Sequence, residues 1–153
     1  MKKILSLLVL AVFFPVLACA ASIPTLDNAG LTDILEKNRG KVVLLNFFAT
    51  WCPPCRVELP ELKNLREAVP DKELLIVGLS VDEEESPVPE FIKEAGVNYP
   101  VYMADKSITD KYGIQSVPHN IFFAPNGSLE VSEPGMAETR ILEAVIDDLK
   151  KHK

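Results

Sequence analysis

Apolar residues recur along this chain with two different periods, and the switches between them mark its elements. Val42-Val43-Leu44-Leu45-Asn46-Phe47-Phe48-Ala49 is too continuously apolar for a strand with one wet face, so it predicts a central strand covered on both sides. Leu74-Leu75-Ile76-Val77-Gly78-Leu79-Ser80-Val81 predicts a second. Between them Val57, Leu59, Leu62, Leu65 and Val69 give a helix an apolar face. Pro54 suits its first turn, where a missing N–H costs nothing, and Pro60 predicts a kink. Leu31, Ile34 and Leu35 predict an earlier short helix ending near Gly40.

Beyond the acidic loop Asp82 to Glu85, the pattern predicts a helix over 89–96 carrying Phe91 and Ile92. A short strand from Tyr99 to Met103 and a helix from Ile108 to Tyr112, stopped by Gly113, come next. Ile121-Phe122-Phe123-Ala124 and Leu129-Glu130-Val131 flank Pro125-Asn126-Gly127-Ser128, which predicts a hairpin. A closing helix has Ile141, Leu142, Val145, Ile146 and Leu149 on one face, Glu138 near its start and Lys150-Lys151 at its end. No repeat or low-complexity linker interrupts the series. The elements add up to one α/β domain with parallel central strands and an antiparallel hairpin at one edge.

The N-terminus has a different character. Met1-Lys2-Lys3 supplies positive charge, Ile4 to Leu17 is uncharged and apolar, and Ala18-Cys19-Ala20 matches an A-x-A cleavage site. About 14 apolar residues fall short of the ~20 that a membrane-spanning helix needs, so residues 1–20 read as an export signal and 21–153 as the folded domain. Val16-Leu17-Ala18-Cys19 also resembles a bacterial lipobox, which would make Cys19 a lipid anchor. Lipidation would tether the product and simple cleavage after Ala20 would free it; both outcomes place it in the bacterial envelope on the periplasmic side.

Removing residues 1–20 takes away Lys2 and Lys3 and lowers the net charge from −6 to −8, which argues against nucleic-acid or anionic-membrane partners. The remaining domain is large enough to bury a core without structural disulfides. A single remaining cysteine pair in an exported chain fits catalysis better than a disulfide scaffold.

That pair is Cys52 and Cys55, in Trp51-Cys52-Pro53-Pro54-Cys55, directly after the first central strand and opening the next helix. The free N–H groups and positive dipole end of a helix favour an anion, so Cys52 there ionises more readily than a free thiol. The thiolate attacks a disulfide, and Cys55 is spaced to resolve the mixed disulfide that forms. Zinc would require two further ligands, and the chain offers only Cys19, His119 and His152. A haem attachment site would require His where Arg56 stands. No metal and no cofactor beyond the redox-active pair is expected.

With these residues in place the chain resembles the TlpA/ResA group of exported thiol–disulfide oxidoreductases in the thioredoxin superfamily. The resemblance is carried by Val43 to Arg56, Glu58-Leu59-Pro60, Gly96 to Val101, Tyr112-Gly113-Ile114, Ser116-Val117-Pro118 and Pro125-Asn126-Gly127. It runs from about Lys41 to the C-terminus; the earlier part matches poorly and lacks the hairpin usual for the group. It implies a thioredoxin fold, a central mixed sheet with helices on both faces, and a TlpA-type central insertion. It also implies that Pro118 is cis and faces the dithiol, with the Val117 backbone pairing to an extended substrate segment. Trp51, Pro53 and Pro54 would tune the pair. Asn46 stands where thioredoxins proper carry a buried Asp that assists the second cysteine. Asn cannot titrate, so another base should serve Cys55; a Glu beyond the next strand does so in the resemblance, which points to Glu83, with Glu84 next.

The function implied is reduction of disulfides in exported proteins such as apocytochrome c, with a membrane thiol reductase of the CcdA/DsbD type recharging the pair. Two other readings use the same residues. One is an envelope oxidant or isomerase, separated only by reduction potential. The other is a Cu(I)-binding module made of Cys52, Cys55 and His119, the last standing where the group usually has Thr; a His directed into the sheet or solvent is the simpler account of that residue. A peroxidase is disfavoured because no Pro-x-x-x-Thr-x-x-Cys segment occurs.

Overall fold

The computed structural model describes residues 22–151; the expected export signal, Cys19 and His152 lie outside them. Eleven elements follow in the order β1 (Thr25–Leu26), α1 (Asn28–Lys37), β2 (Val42–Phe48), α2 (Pro53–Ala68), β3 (Leu74–Ser80), α3 (Val88–Glu94), β4 (Val101–Ala104), α4 (Lys106–Tyr112), β5 (His119–Phe123), β6 (Leu129–Pro134) and α5 (Thr139–Leu149). They build one six-stranded mixed sheet in the order β1-β4-β3-β2-β5-β6. Between β3 and β5 the chain makes α3, β4 and α4. No helix among the described residues is long and apolar enough to cross a membrane.

β2 is the axis of the sheet. Every residue from Val42 to Phe48 is buried, as its unbroken apolar run predicted. It pairs in parallel with β3, Val42 opposite Leu74 through Phe48 opposite Ser80, and antiparallel with β5, where Phe47 faces His119. The odd and even positions point to opposite faces. Val42, Leu44, Ile76 and Phe122 face Leu62 and Leu65 of α2 and Leu142 and Ile146 of α5. Val43, Leu45, Val77 and Ile121 face Leu31 of α1 and Ile108 of α4. Helices therefore cover both faces, which explains why the central strands lack polar alternation.

Three differences from the sequence pattern have physical causes. β1 is only two residues long and owes its place to Thr25 and Leu26 pairing with Met103 and Ala104 of β4, a non-local contact with no local periodicity behind it. The hairpin strands extend beyond their apolar runs, taking in His119 and Asn120 at the start of β5 and Ser132 to Pro134 at the end of β6. Val57 and Ile141 were placed on apolar helix faces but are 58% and 49% exposed. Helical spacing sets Val57 well away from the stripe of Cys55, Glu58, Leu59, Leu62 and Leu65 that α2 buries, and Ile141 at the flank of the Leu142, Ile146 and Leu149 stripe of α5, so both reach solvent. Gly113 ends α4 in the left-handed conformation at φ 64°, as a helix-stopping glycine should.

Gly78 is a different case, since its conformation is ordinary and its lack of a side chain is what matters. A Cβ there would lie 3.1 Å from the Val101 side chain and 3.3 Å from the rings of Phe48 and Tyr99. These neighbours are strand-bound or buried and cannot withdraw freely. Gly78→Ala is expected to lower unfolding stability by about 1–3 kcal/mol through overpacking, read as a lower urea midpoint with an unchanged slope.

Candidate redox site

The pairing of β2 dictates where chemistry can sit. β2 and β3 run parallel and leave the sheet at the same end, while antiparallel β5 enters there. Three loops therefore converge: residues 49–52 after β2, 81–83 after β3 and 116–118 before β5. The first carries Cys52, and the last carries Val117-Pro118, joined by a cis peptide bond.

Cys52 is the N-cap of α2, with Pro53 and Pro54 filling the first helical positions. Its Sγ accepts the Cys55 backbone N–H at 3.2 Å and is bonded to the Cys55 Sγ in a disulfide. Cys52 is 2% exposed and Cys55 0%, an order that makes Cys52 the sulfur nearer to solvent. In the dithiol state the donated N–H and the helix terminus would stabilise a Cys52 thiolate.

The loop before Cys52 is clamped. Asp82 accepts from the Thr50 N–H at 3.0 Å and from the hydroxyls of Thr50 and Ser80, each at 2.7 Å. Arg56 donates to the Thr50 carbonyl at 3.0 Å, its guanidinium lying 4.7 Å from the Phe91 ring centroid. Fixing Thr50 on both sides turns Trp51 outward, 68% exposed beside the disulfide. Trp51 forms one wall of a 380 Å³ groove that also takes in Val81, Glu83, Gln115, Ser116 and Val117.

Behind the disulfide lies a group whose role the sequence reading did not foresee. Glu58 follows Cys55 by one helical turn and is fully buried. Its carboxyl accepts from Asn46 Nδ2 at 2.9 Å, Asn120 Nδ2 at 2.8 Å and the Ala137 N–H at 3.0 Å. Asn46 and Asn120 are register partners on β2 and β5, so the sheet presents two amides side by side to the helix. Burial pushes the Glu58 carboxyl above its ordinary value near 4.5, and the three hydrogen bonds oppose that shift without cancelling it. One signal was available: Glu58 is a charged residue at a core-facing position beside Cys55 and Leu59.

The other expected residues fall into place differently. Glu83 is exposed on the wall of the groove and Glu84 is exposed beside it. The buried carboxyl one helical turn beyond Cys55 belongs instead to Glu58. Val117 is half-buried beside Trp51, and the Pro118 carbonyl accepts the Gly135 N–H at 2.7 Å.

His119 is 7% exposed. It pairs with Phe47, whose side chain packs on the α1/α4 face, and its ring meets the Phe47 ring edge-on at 6.4 Å. Its Nε2 lies 2.9 Å from Ser132 Oγ. Cys52 and Cys55 pack instead with Leu59 of α2. Strand alternation thus separates His119 from the sulfurs, and the Cu(I) set is not assembled. Among the described residues no three His, Cys, Asp or Glu side chains converge as metal ligands.

The AhpC/TSA family model matches residues 18–132, beginning well before the segment in which the sequence resemblance was legible. The chain is 36% identical over 116 residues to the thiol–disulfide oxidoreductase ResA of Oceanobacillus iheyensis, covering 75% of this chain and 60% of that protein. It is 34% identical over 104 residues to ResA of Bacillus subtilis, covering 67% and 58%. The chain thus spans about three fifths of the length of these relatives. A thiol:disulfide interchange protein of the thioredoxin family from Chlorobium tepidum superimposes with a TM-score of 0.70 at 26% identity, over 75% of this chain and 83% of that one. The mixed sheet with helices on both faces is the thioredoxin fold.

The raised Glu58 carboxyl has a consequence for stability. An acid whose folded pKa lies above its unfolded value binds its proton more tightly when folded. Its contribution is fully present below about 4.5 and is lost as pH rises through the folded value. In Glu58→Gln that loss is absent, so the variant should gain stability relative to the parent as pH rises from 4 to 8. The gain should not exceed about 1.4 kcal/mol per pH unit, measured by urea unfolding across that range; a constant difference would contradict the assignment.

Proposed function

The chain belongs to the AhpC/TSA family and groups there with ResA-type proteins of thioredoxin fold, and from that premise we propose that it is an exported thiol–disulfide oxidoreductase acting as a reductant in the bacterial envelope. The observation that carries this reading is the Cys52–Cys55 disulfide at the N-terminus of α2, with buried Glu58 behind it and the cis Val117-Pro118 loop at the same end of the sheet.

In the reductive direction the Cys52 thiolate attacks one sulfur of a substrate disulfide. A Cys52–substrate bond forms, the substrate S–S bond breaks, and the second substrate sulfur leaves as a thiolate. Glu58, ionised, takes the proton of Cys55. The Cys55 thiolate then attacks Cys52 Sγ, the mixed disulfide breaks, and the substrate leaves as a dithiol after taking up two protons. Two electrons have passed to the substrate and the Cys52–Cys55 disulfide remains. A carboxyl whose pKa burial raises suits the proton step, and Glu58, buried one turn beyond Cys55, is favoured over exposed Glu83 for that role. The Val117 backbone holds the substrate segment in extended form, with Trp51 and the groove beside it receiving a flanking side chain.

The substrates in this reading are disulfides of exported proteins, apocytochrome c among them, and a membrane thiol reductase of the CcdA/DsbD type returns the pair to the dithiol. The protein works on the periplasmic side, free or lipid-anchored through Cys19. The expected absence of a peroxidase cysteine motif agrees with disulfide exchange rather than peroxide reduction.

Equilibration of the protein with defined thiol–disulfide buffers tests the direction. A potential near or below about −270 mV supports a reductant, and one near about −120 mV overturns it in favour of an oxidant or isomerase. Cys55→Ser should trap substrates as mixed disulfides through Cys52. Glu58→Gln should slow the resolving step roughly 100-fold while leaving initial attack by Cys52 within a few fold, seen as mixed disulfide accumulating in stopped-flow quench experiments.

A further inference from the structure

Two buried polar atoms near Glu58 have no hydrogen-bond partner among the described residues: Asn46 Oδ1, an acceptor, and the Tyr99 hydroxyl, a donor. Asn46 is 0% exposed and Tyr99 8%. Buried polar atoms left unpaired are uncommon enough to call for a cause.

The two lie over one stretch of sheet. Asn46 is the register partner of Gly78, and the Tyr99 ring occupies the space a Gly78 side chain would take, 3.3 Å from where its Cβ would stand. Tyr99 packs with Leu62 and Leu65, on the α2 side where Glu58 descends. The Asn46 amide is already spoken for on its nitrogen, which donates to Glu58 at 2.9 Å and to Asn120 Oδ1 at 2.9 Å. Its oxygen has no partner among the described residues, and the Tyr99 phenol, unpaired over the neighbouring strand position, has a proton to donate.

We propose that Tyr99 is a positioning residue of the redox site, its hydroxyl donating to Asn46 Oδ1 when Glu58 ionises, so that Asn46 holds the carboxylate more strongly. A hydrogen bond accepted at the amide oxygen polarises the amide and strengthens the bonds its nitrogen donates. The phenol itself stays protonated: burial, with a smaller contribution from Glu58, raises it well above its ordinary value. The chain Tyr99–Asn46–Glu58 then stabilises the ionised carboxyl, the form that takes the Cys55 proton. This inference rests on the reading of Glu58 as that base.

The groups facing Glu58 are few. Cys55 comes from the turn above on α2, β2 and β5 bring the uncharged amides of Asn46 and Asn120, and the segment before α5 brings only the Ala137 backbone N–H. Tyr99 is the titratable group from the segment before β4, and His119 lies on the opposite face. No charged side chain contributes to the Glu58 shift.

Tyr99→Phe keeps the ring and removes the donor. The test is the carboxyl-carbon NMR titration of Glu58 in full-length dithiol protein, assigned by its disappearance in Glu58→Gln, with the rate of Cys55 attack on a Cys52 mixed disulfide followed against pH. Tyr99→Phe is expected to raise the Glu58 midpoint by a few tenths of a pH unit and to move the rate inflection with it, and to change nothing further in the Glu58→Gln background. A midpoint unchanged by Tyr99→Phe, with the inflection still lost in Glu58→Gln, overturns the inference alone. An inflection that survives in Glu58→Gln overturns the Glu58 reading and this inference with it. A purely structural effect of Tyr99 would alter the melting temperature but not the carboxyl midpoint.

Discussion

One buried carboxyl holds the working end of this molecule together. Glu58 receives hydrogen bonds from β2 through Asn46, from β5 through Asn120 and from the segment before α5 through Ala137. It projects from α2, the helix that carries the dithiol, so four parts of the chain meet at two oxygen atoms. A buried carboxyl without such partners would be strongly destabilising. With them it remains costly to ionise, because the donors offset only part of the desolvation. The same contacts that tie the helix to the sheet thus hold, one helical turn beyond Cys55, an acid that keeps its proton more tightly than a free carboxyl does.

The two cysteines stand in different surroundings. Cys52 caps the helix and accepts an N–H at its sulfur, which favours negative charge there. Cys55 is fully buried, one helical turn before Glu58 on the same helix. The helix terminus thus lies at the first of the two cysteines, and attack on a disulfide is the work of a thiolate. The Asp82–Thr50–Arg56 clamp adds rigidity in front, holding the loop that presents Trp51 and Cys52. Its partners come from β3, the loop and α2, so Cys52 is positioned by three elements rather than by its own loop alone.

Much of this was legible in local pattern. The doubly covered strands, the helix after Pro54, the Gly113 stop and the hairpin around Asn126-Gly127 all follow from spacing and turn chemistry, because each depends on residues close in sequence. Strand β1 was not legible, since its two residues are held by β4 about 80 positions away. The burial of Glu58 behind the central strands was not legible for a related reason, since its partners come from β2, β5 and the segment before α5. Glu83, to which the resemblance pointed, is exposed on the loop after β3, and Asp82, its neighbour, is the residue turned inward to Thr50 and Ser80.

The sequence by itself determined the chemistry and the class of fold. Two cysteines at the start of a helix after a buried strand define a redox site through covalent spacing and the helix terminus, both local properties. The tertiary structure decided which carboxyl is buried beside that site, which face His119 takes and where the loop carrying Cys52 is clamped. These depend on register: antiparallel pairing of β2 with β5 sets Asn46 beside Asn120 and turns His119 away. A shift of one residue would reverse every one of those faces while leaving composition and spacing unchanged.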